Sequence, residues 1–231
     1  MRSDNAARVP VPTLERLATY LRYLLDLEQD RVETISSAEV EEQTGVNAAQ
    51  FRKDLSYFGE FGKPGVGYNV PDLQTRISRI LKIDKEQRIL LVGAGNLGSA
   101  LVGYPGLKEH RFQLVAVFDS SPAKVGTRIW ELEVLDIARI REVNAGLRAR
   151  IAILAVPRAA AQAVAEALVD AGVDAILNFA PTVIRLPETV MVRNVSFVQE
   201  LAVLSYHLST EHPEERAASL PPAVALSPTD A

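Results

Sequence analysis

The sequence predicts an α/β protein made of two unlike halves, on three observations. Up to residue 82, apolar residues recur at helical spacing with one glycine-rich interruption. From residue 88, short apolar runs alternate with helical segments, the pattern of a parallel sheet covered on both faces. The first of those runs leads into RILLVGAGNLGSAL, where three glycines separate a strand-like run from a helix. The fold class is therefore a winged helix-turn-helix followed by a Rossmann-like parallel-sheet domain, closed by one more amphipathic helix.

In the first half, TLERLATYLRYLLDL places Leu14, Leu17, Leu21, Leu24 and Leu25 on one helical stripe. Thr13 is the expected cap, with Arg16 and Arg22 on other faces. SSAEVEEQTGV reads as a short helix opened by Ser36 or Ser37, with Val40 inward and Gly45 ending it. In NAAQFRKDLSYFG, Asn47 can cap a helix whose apolar positions are Phe51, Leu55 and Phe58. Two helices joined by a glycine turn make a helix-turn-helix pattern. EFGKPGVGYNV follows as a β-hairpin wing, with Val66, Tyr68 and Val70 alternating. DLQTRISRILKI, with Leu73, Ile77, Ile80 and Leu81 apolar, is the connecting helix.

In the second half, RILLVG, QLVAVFD, RIAILAVP and DAILNFAP are the expected strands; SALVGYPGL, DIARIREV and RAAAQAVAEALVDAG are the helices between them. SFVQELAVLSYHL then puts Phe197, Leu201, Leu204 and Leu208 on one face, a stripe in need of a partner. The tail from Ser209 has the composition of a disordered segment.

Composition narrows the function. The chain of 231 residues, 48% hydrophobic, can bury one sizeable core or two modest ones. It has no cysteine, which excludes disulfides, thiolate metal sites and cysteine nucleophiles and fits a reducing cytoplasm. No segment reads as a signal peptide or bilayer span, so a soluble cytoplasmic protein is expected, without membrane or metal partner. A net charge of −4 gives no global sign of a nucleic-acid partner, so any such surface has to be local.

The local candidates are two. Gln50, Arg52, Lys53 and Ser56 form the polar face of the third helix, and the wing adds Lys63 and Tyr68. Arg and Lys can contact guanine edges or phosphates, Gln can read adenine, and Ser can position the backbone. Asp54 and Glu60 dilute that patch, and a solvated helix face beside a hairpin is the competing reading. The second candidate is Gly93-Ala94-Gly95-Asn96-Leu97-Gly98. Gly93 permits the tight turn after the strand, Gly95 lets a pyrophosphate approach, and Gly98 lets the helix pack closely. Asp119, ending the second strand, can accept from an adenosine ribose and repel a 2′-phosphate, although Lys124 tempers that repulsion; the competing reading is that it caps the next turn, SSPAKVG. Ala155-Val156-Pro157 and Asn178-Phe179-Ala180-Pro181 end two later strands along the carboxyl edge, as ligand-lining positions or, at Pro157 and Pro181, as plain strand terminators.

No catalyst accompanies the cradle. His110, His207 and His212 avoid the strand ends, no Ser/His/Asp array is present, and little chain remains for a substrate domain, so an enzyme is not expected.

QFRKDLSYFGEFGKPGVGYNVP, at 50–71, resembles the winged-helix signature of the Rex family of redox-sensing transcriptional repressors. The resemblance continues through GAGNLGSAL, Tyr104-Pro105-Gly106, FDSSPAKVG, AVPRAAAQ, ILNFAP and NVSF, from Leu14 to Leu208. It implies a homodimer that binds a pseudo-palindromic operator with TTGTG-type half-sites and is released by NADH rather than NAD⁺. It implies that the last helix is exchanged between subunits. It places Phe197 of the partner subunit and Tyr104 near the nicotinamide. The domains follow as 1–82 winged helix, 83–195 cofactor domain, 196–208 swapped helix and 209–231 tail. Two departures stand out. Ser196 replaces the family's usual Asp opposite Arg22, so the interdomain ion pair cannot form, and Pro64 takes a wing position that is often basic. A small NAD-dependent oxidoreductase and a CoA-binding or structural Rossmann module remain as alternatives.

Overall fold

A computed structural model describes residues 9–62 and 65–210. Lys63, Pro64 and the tail from residue 211 lie outside the described residues. The chain divides into two compact units. One holds residues up to Ile89 with Ala100–Val115; the other holds Leu90–Ser99 and residues from Ala116 on.

In the first unit, α1 (Val11–Gln29) starts earlier than its cap signal suggests, with Pro10 at the N-cap. Pro12 sits in the first turn, where its missing N–H has no helical acceptor to lose. Thr13 is therefore inside the helix and buried, and its hydroxyl donates to Asp54 instead of capping. The strand β1 (Thr34–Ile35) leads to α2 (Ser37–Thr44). Ser36 opens α2 with a reciprocal capping box to Glu39, and Gly45 ends it at φ +70°. Asn47 caps α3 (Ala48–Ser56) by accepting from the Ala49 N–H.

The wing differs from a self-contained hairpin. Its strand β2 (Tyr68–Asn69) pairs antiparallel with β1, and Val70 already belongs to α4 (Val70–Ile80). Asn69 caps that helix and Pro71 fits its first turn, so the chain turns helical two residues after Tyr68. Gly67 makes the approach possible: a Cβ there would stand 2.6 Å from the Ile35 carbonyl oxygen. The core joins Leu17, Leu21 and Leu24 of α1 to Val40, Phe51, Leu55, Leu73 and Ile77, with Tyr20 edge-on to Phe51 at 4.9 Å. Each such buried side chain contributes about 1.5–3 kcal/mol relative to exposure.

The seven-stranded sheet has the order β5-β6-β4-β3-β7-β8-β9. Its strands are β3 (Gln87–Val92), β4 (Phe112–Asp119), β5 (Arg128–Ile129), β6 (Leu132–Asp136), β7 (Ile151–Leu154), β8 (Ala175–Asn178) and β9 (Met191–Asn194). β7, β8 and β9 pair in parallel, as do β4 and β6, while β5 is antiparallel to β6. The helices are α5 (Asn96–Val102), α6 (Pro105–Glu109), α7 (Ile140–Leu147), α8 (Arg158–Asp170) and α9 (Phe197–Thr210). The expected helix SALVGYPGL is thus two helices. Pro105 cannot continue a helix from Gly103, and it holds Tyr104 extended at φ −77°, ψ 110°. β5, β6 and β9 are strands that the apolar runs do not announce, because they carry charges or lie exposed at an edge. Helix α9 reaches Thr210, past the expected start of the tail. Among the described residues no helix is long and apolar enough to cross a membrane.

Candidate nucleotide cradle and nucleic-acid interface

The sheet order sets the first site. From β3 the chain builds outward to β4 and β6 on one side, then crosses to β7 on the other. The carboxyl ends of β3 and β7 therefore flank the topological switch point, where open α/β sheets bind ligands. The Ala155 N–H donates to the Val92 carbonyl, and the Gly93 N–H to that of Phe118, both at 2.8 Å. Gly93 turns the chain at φ +108°, and a Cβ on it would lie 2.2 Å from the Ala155 oxygen. A Cβ on Gly98 would lie 1.9 Å from the Gly93 oxygen. Gly95 is different: nothing lies within 4 Å of where its Cβ would be. Two glycines are demanded by the protein's own packing, and the third opens onto space. The first-turn amides of Asn96, Leu97 and Gly98 lack intrahelical acceptors and suit an anionic group. Together with the open face at Gly95, they fit a pyrophosphate.

Asp119 is more engaged than its motif position suggests. Its Oδ2 accepts from the Ala94 N–H at 2.8 Å and from Lys124 Nζ at 3.1 Å; its Oδ1 accepts from the Ser121 N–H at 2.9 Å. Burial opposes its charge, but the bonds from Ser121, Lys124 and Ala94 prevail and hold the carboxyl below the usual range. Asp119 therefore caps its own turn and pins the glycine loop. Oδ1 keeps lone-pair capacity for a ribose hydroxyl. Pairing with Lys124 offsets the repulsion expected against a 2′-phosphate.

The other cradle residues line the same sheet edge. Val156 lies beside Gly93, its Cγ1 3.2 Å from where a Cβ there would be, and Pro157 is the N-cap of α8. Buried Ala180 donates its N–H to Asn178 Oδ1 at 3.0 Å, and Pro181 is exposed. Phe179, in the same strand-end stretch, faces Phe197 with ring centroids 6.3 Å apart. Ser196 caps α9, its hydroxyl accepting from the Gln199 N–H at 3.3 Å. Phe197, Leu201 and Leu204 are about 60% exposed, so the apolar stripe of α9 is open within one chain. Tyr104 and Lys108 stand at Tyr-x-x-x-Lys spacing, which in one helix would put them on a shared face. Here Tyr104 precedes α6 and its ring folds over Gly106, so that geometry does not arise.

The second site is α3. Arg52, Lys53 and Ser56 are exposed, but two expected contacts are committed inside the unit. Arg52 Nη1 donates to Ser37 Oγ at 2.7 Å, and Ser56 Oγ to the Lys53 carbonyl. Gln50 Nε2 donates to Asp54 Oδ1 at 2.9 Å; because a carboxylate only accepts, the amide oxygen faces away. The Tyr68 ring packs edge-on to Phe51 at 5.2 Å, so it holds the wing rather than standing free in a groove. Arg22 is exposed on α1.

Asp54 corrects the sequence reading most. It is not a surface diluent of positive charge: it is fully buried and accepts from Thr13, Arg16, Tyr20 and Gln50. Arg16 forks onto both its oxygens at 2.6 Å. Burial alone would raise the Asp54 pKa, but these donors outweigh it and lower it. Tyr20 is pushed up, first by burial and then by its bond to Asp54. Helix α3 is thus clamped to α1 by one carboxylate.

The family described as "CoA binding domain" matches residues 84–182, and "Putative DNA-binding protein N-terminus" matches residues 8–56. The chain is 45% identical to the redox-sensing transcriptional repressor Rex of Desulfitobacterium hafniense, over 88% of this chain and 97% of the relative. It is 47% identical to that of Pelotomaculum thermopropionicum, over 88% and 96%. Among solved structures it is similar to RSP in complex with β-NAD⁺ and operator DNA, with TM-score 0.83 and 39% identity over 87% of this chain and 93% of that one. RSP in complex with β-NADH gives TM-score 0.79 and 37% identity, over 87% and 95%. With a winged helix-turn-helix, a glycine-turned parallel sheet and relatives alike over nearly their whole length, the chain belongs to the Rex family of redox-sensing transcriptional repressors.

Proposed function

We propose that this chain represses transcription as a homodimer on operator DNA and releases it when NADH occupies the glycine cradle. The observation that carries the reading is that the likeness to RSP spans both sites at once, and RSP is described with NAD⁺ and operator DNA and, separately, with NADH. The cofactor, when bound, supplies a one-charge difference between a neutral reduced ring and a cationic oxidised one.

The chain's own residues read that difference. The amides of Asn96, Leu97 and Gly98 hold the pyrophosphate over Gly95, and Asp119 with Lys124 holds the adenosine ribose. Ala180 and Pro181, with Phe197 of the partner subunit, form an apolar enclosure that disfavours a cation through lost hydration. Exchange of α9 between subunits covers its open stripe and carries the change to the paired winged helices. Moving them alters their spacing, and a dimer out of step with successive major grooves lets go. Arg52, Lys53 and Lys63 supply base and phosphate contacts. Ser196 caps α9 and cannot form an ion pair with Arg22, so the switch does not depend on that pair. The protein acts in the cytoplasm and turns over no substrate.

The match to a CoA-binding family supports a second reading, a Rossmann module that takes CoA. One experiment separates them: fluorescence anisotropy of a labelled pseudo-palindromic duplex with TTGTG-type half-sites at fixed salt, titrated with NADH, NAD⁺ and CoA. Release by NADH at concentrations where NAD⁺ and CoA do nothing is the expected result. Absence of duplex binding, or release by CoA alone, overturns the proposal.

A further inference from the structure

The buried carboxylate of α3 also fixes where a cation from α1 stands. A helix lying in a major groove runs between two rows of phosphates, and proteins register themselves on DNA through those rows. At about 100° per residue, Arg52 and Ser56 fall on one flank of the exposed face of α3, and Lys53 and Gln50 on the other. The first flank is built out to α2, where Arg52 bonds Ser37 at 2.7 Å. The second is built out to α1, whose Arg16 meets Asp54 on the carboxylate oxygen that Gln50 also bonds.

Arg16 is oriented but not used up. Its Nε and Nη2 lie on Asp54, and Nη2 also reaches Thr13 Oγ1 at 3.3 Å. Its bonds among the described residues leave Nη1 unengaged, and the side chain keeps 27% exposure. A guanidinium carries five donors in a rigid fork, so binding one edge to a carboxylate presets the other. The Asp54 end is fully buried while the Arg16 end reaches solvent, so the outward donors sit on the α1 flank of the reader helix.

We propose that Arg16 is a DNA-backbone contact: its outward N–H groups bind a phosphate on the α1 side of the recognition helix, with Asp54 and Thr13 as positioning residues. The proposal rests on the operator-binding reading above. Arg16 and Lys53 then serve one phosphate row and Arg52 the other. The contact carries no sequence information, so its loss weakens specific and non-specific duplexes alike.

The test is the salt dependence of duplex binding by the full-length protein, with NADH binding followed in parallel. Arg16→Gln is expected to weaken binding to the operator and to an unrelated duplex by a similar factor of about ten. It should lower the slope of log K against log salt by about one per subunit, and leave NADH affinity unchanged. Arg16→Lys, which keeps a point charge, should restore most of the slope. Because Arg16→Gln leaves Asp54 unbalanced, the charge-balanced Arg16→Gln/Asp54→Asn variant is measured beside it and should show the same loss of affinity. Folded Gln variants that bind both duplexes with wild-type affinity and slope overturn the proposal and leave Arg16 a structural clamp. A loss confined to the operator also overturns it. Wild-type protein that binds no duplex at any salt overturns the operator-binding reading, and this contact with it.

Discussion

The cradle and the reader are held in opposite ways. The cradle is defined by missing atoms: Gly93 and Gly98 leave no room for a Cβ, and Gly95 opens onto space. The reader is defined by a surplus of polar atoms driven inside, four donors converging on Asp54. The first is vulnerable to any added carbon, and the second to any change of charge. That contrast predicts where each unit breaks.

The largest effect is expected from Gly98→Ala. Its Cβ would press to 1.9 Å from the Gly93 oxygen, which cannot yield without opening the loop. Thermal unfolding should report a loss of about 3–4 kcal/mol, with NADH binding abolished. Next, Asp54→Ala should cost about 3 kcal/mol, because it leaves Arg16, Tyr20 and Thr13 without their acceptor. If it folds, it should retain NADH binding and lose operator binding, the reverse of a cradle defect. Arg52→Ala should weaken operator binding by about ten- to a hundredfold at unchanged melting temperature and NADH affinity, read by anisotropy. Gly95→Ala sharpens the contrast: with open space at its Cβ, stability should stay within about 0.5 kcal/mol while NADH affinity falls about tenfold.

The smallest effect is a pH tilt. The folded-state pKa of Asp54 is depressed, so its contribution is present above the unfolded value of about 3.9 and is lost as pH falls through the folded one. Wild-type stability should therefore decline below about pH 4, and Asp54→Asn should flatten that decline in urea melts. Tyr20 acts at the other end: its raised pKa favours the protonated phenol in the fold, so stability is lost above about pH 10.

The cradle was legible because glycine spacing is a direct record of backbone geometry, and the structure places Gly93, Gly95 and Gly98 in distinct spatial roles. Helix caps at Ser36 and Asn47 were legible for the same reason: local hydrogen bonds are written in local sequence. What sequence missed depended on distant partners. Asp54 reads as a surface charge until α1 brings Arg16 and Tyr20 to it across more than thirty residues. Thr13 reads as a cap until Asp54 claims its hydroxyl. The wing reads as a hairpin because the sequence of β2 does not name β1 as its partner. Strands β5 and β9 escaped since short or exposed edge strands lack the apolar alternation that marks buried ones, and β6, LEVLD, because two acidic residues break its apolar run.

The central claim is that cofactor and operator bind one protein in mutual opposition, and linkage makes it testable from either side. The most direct measurement is the NADH dissociation constant, by fluorescence of the reduced ring, with and without saturating operator duplex at one salt concentration. The account predicts that operator weakens NADH binding by the same factor by which NADH weakens operator binding, with little or no such effect on NAD⁺. An NADH affinity indifferent to saturating operator would contradict it.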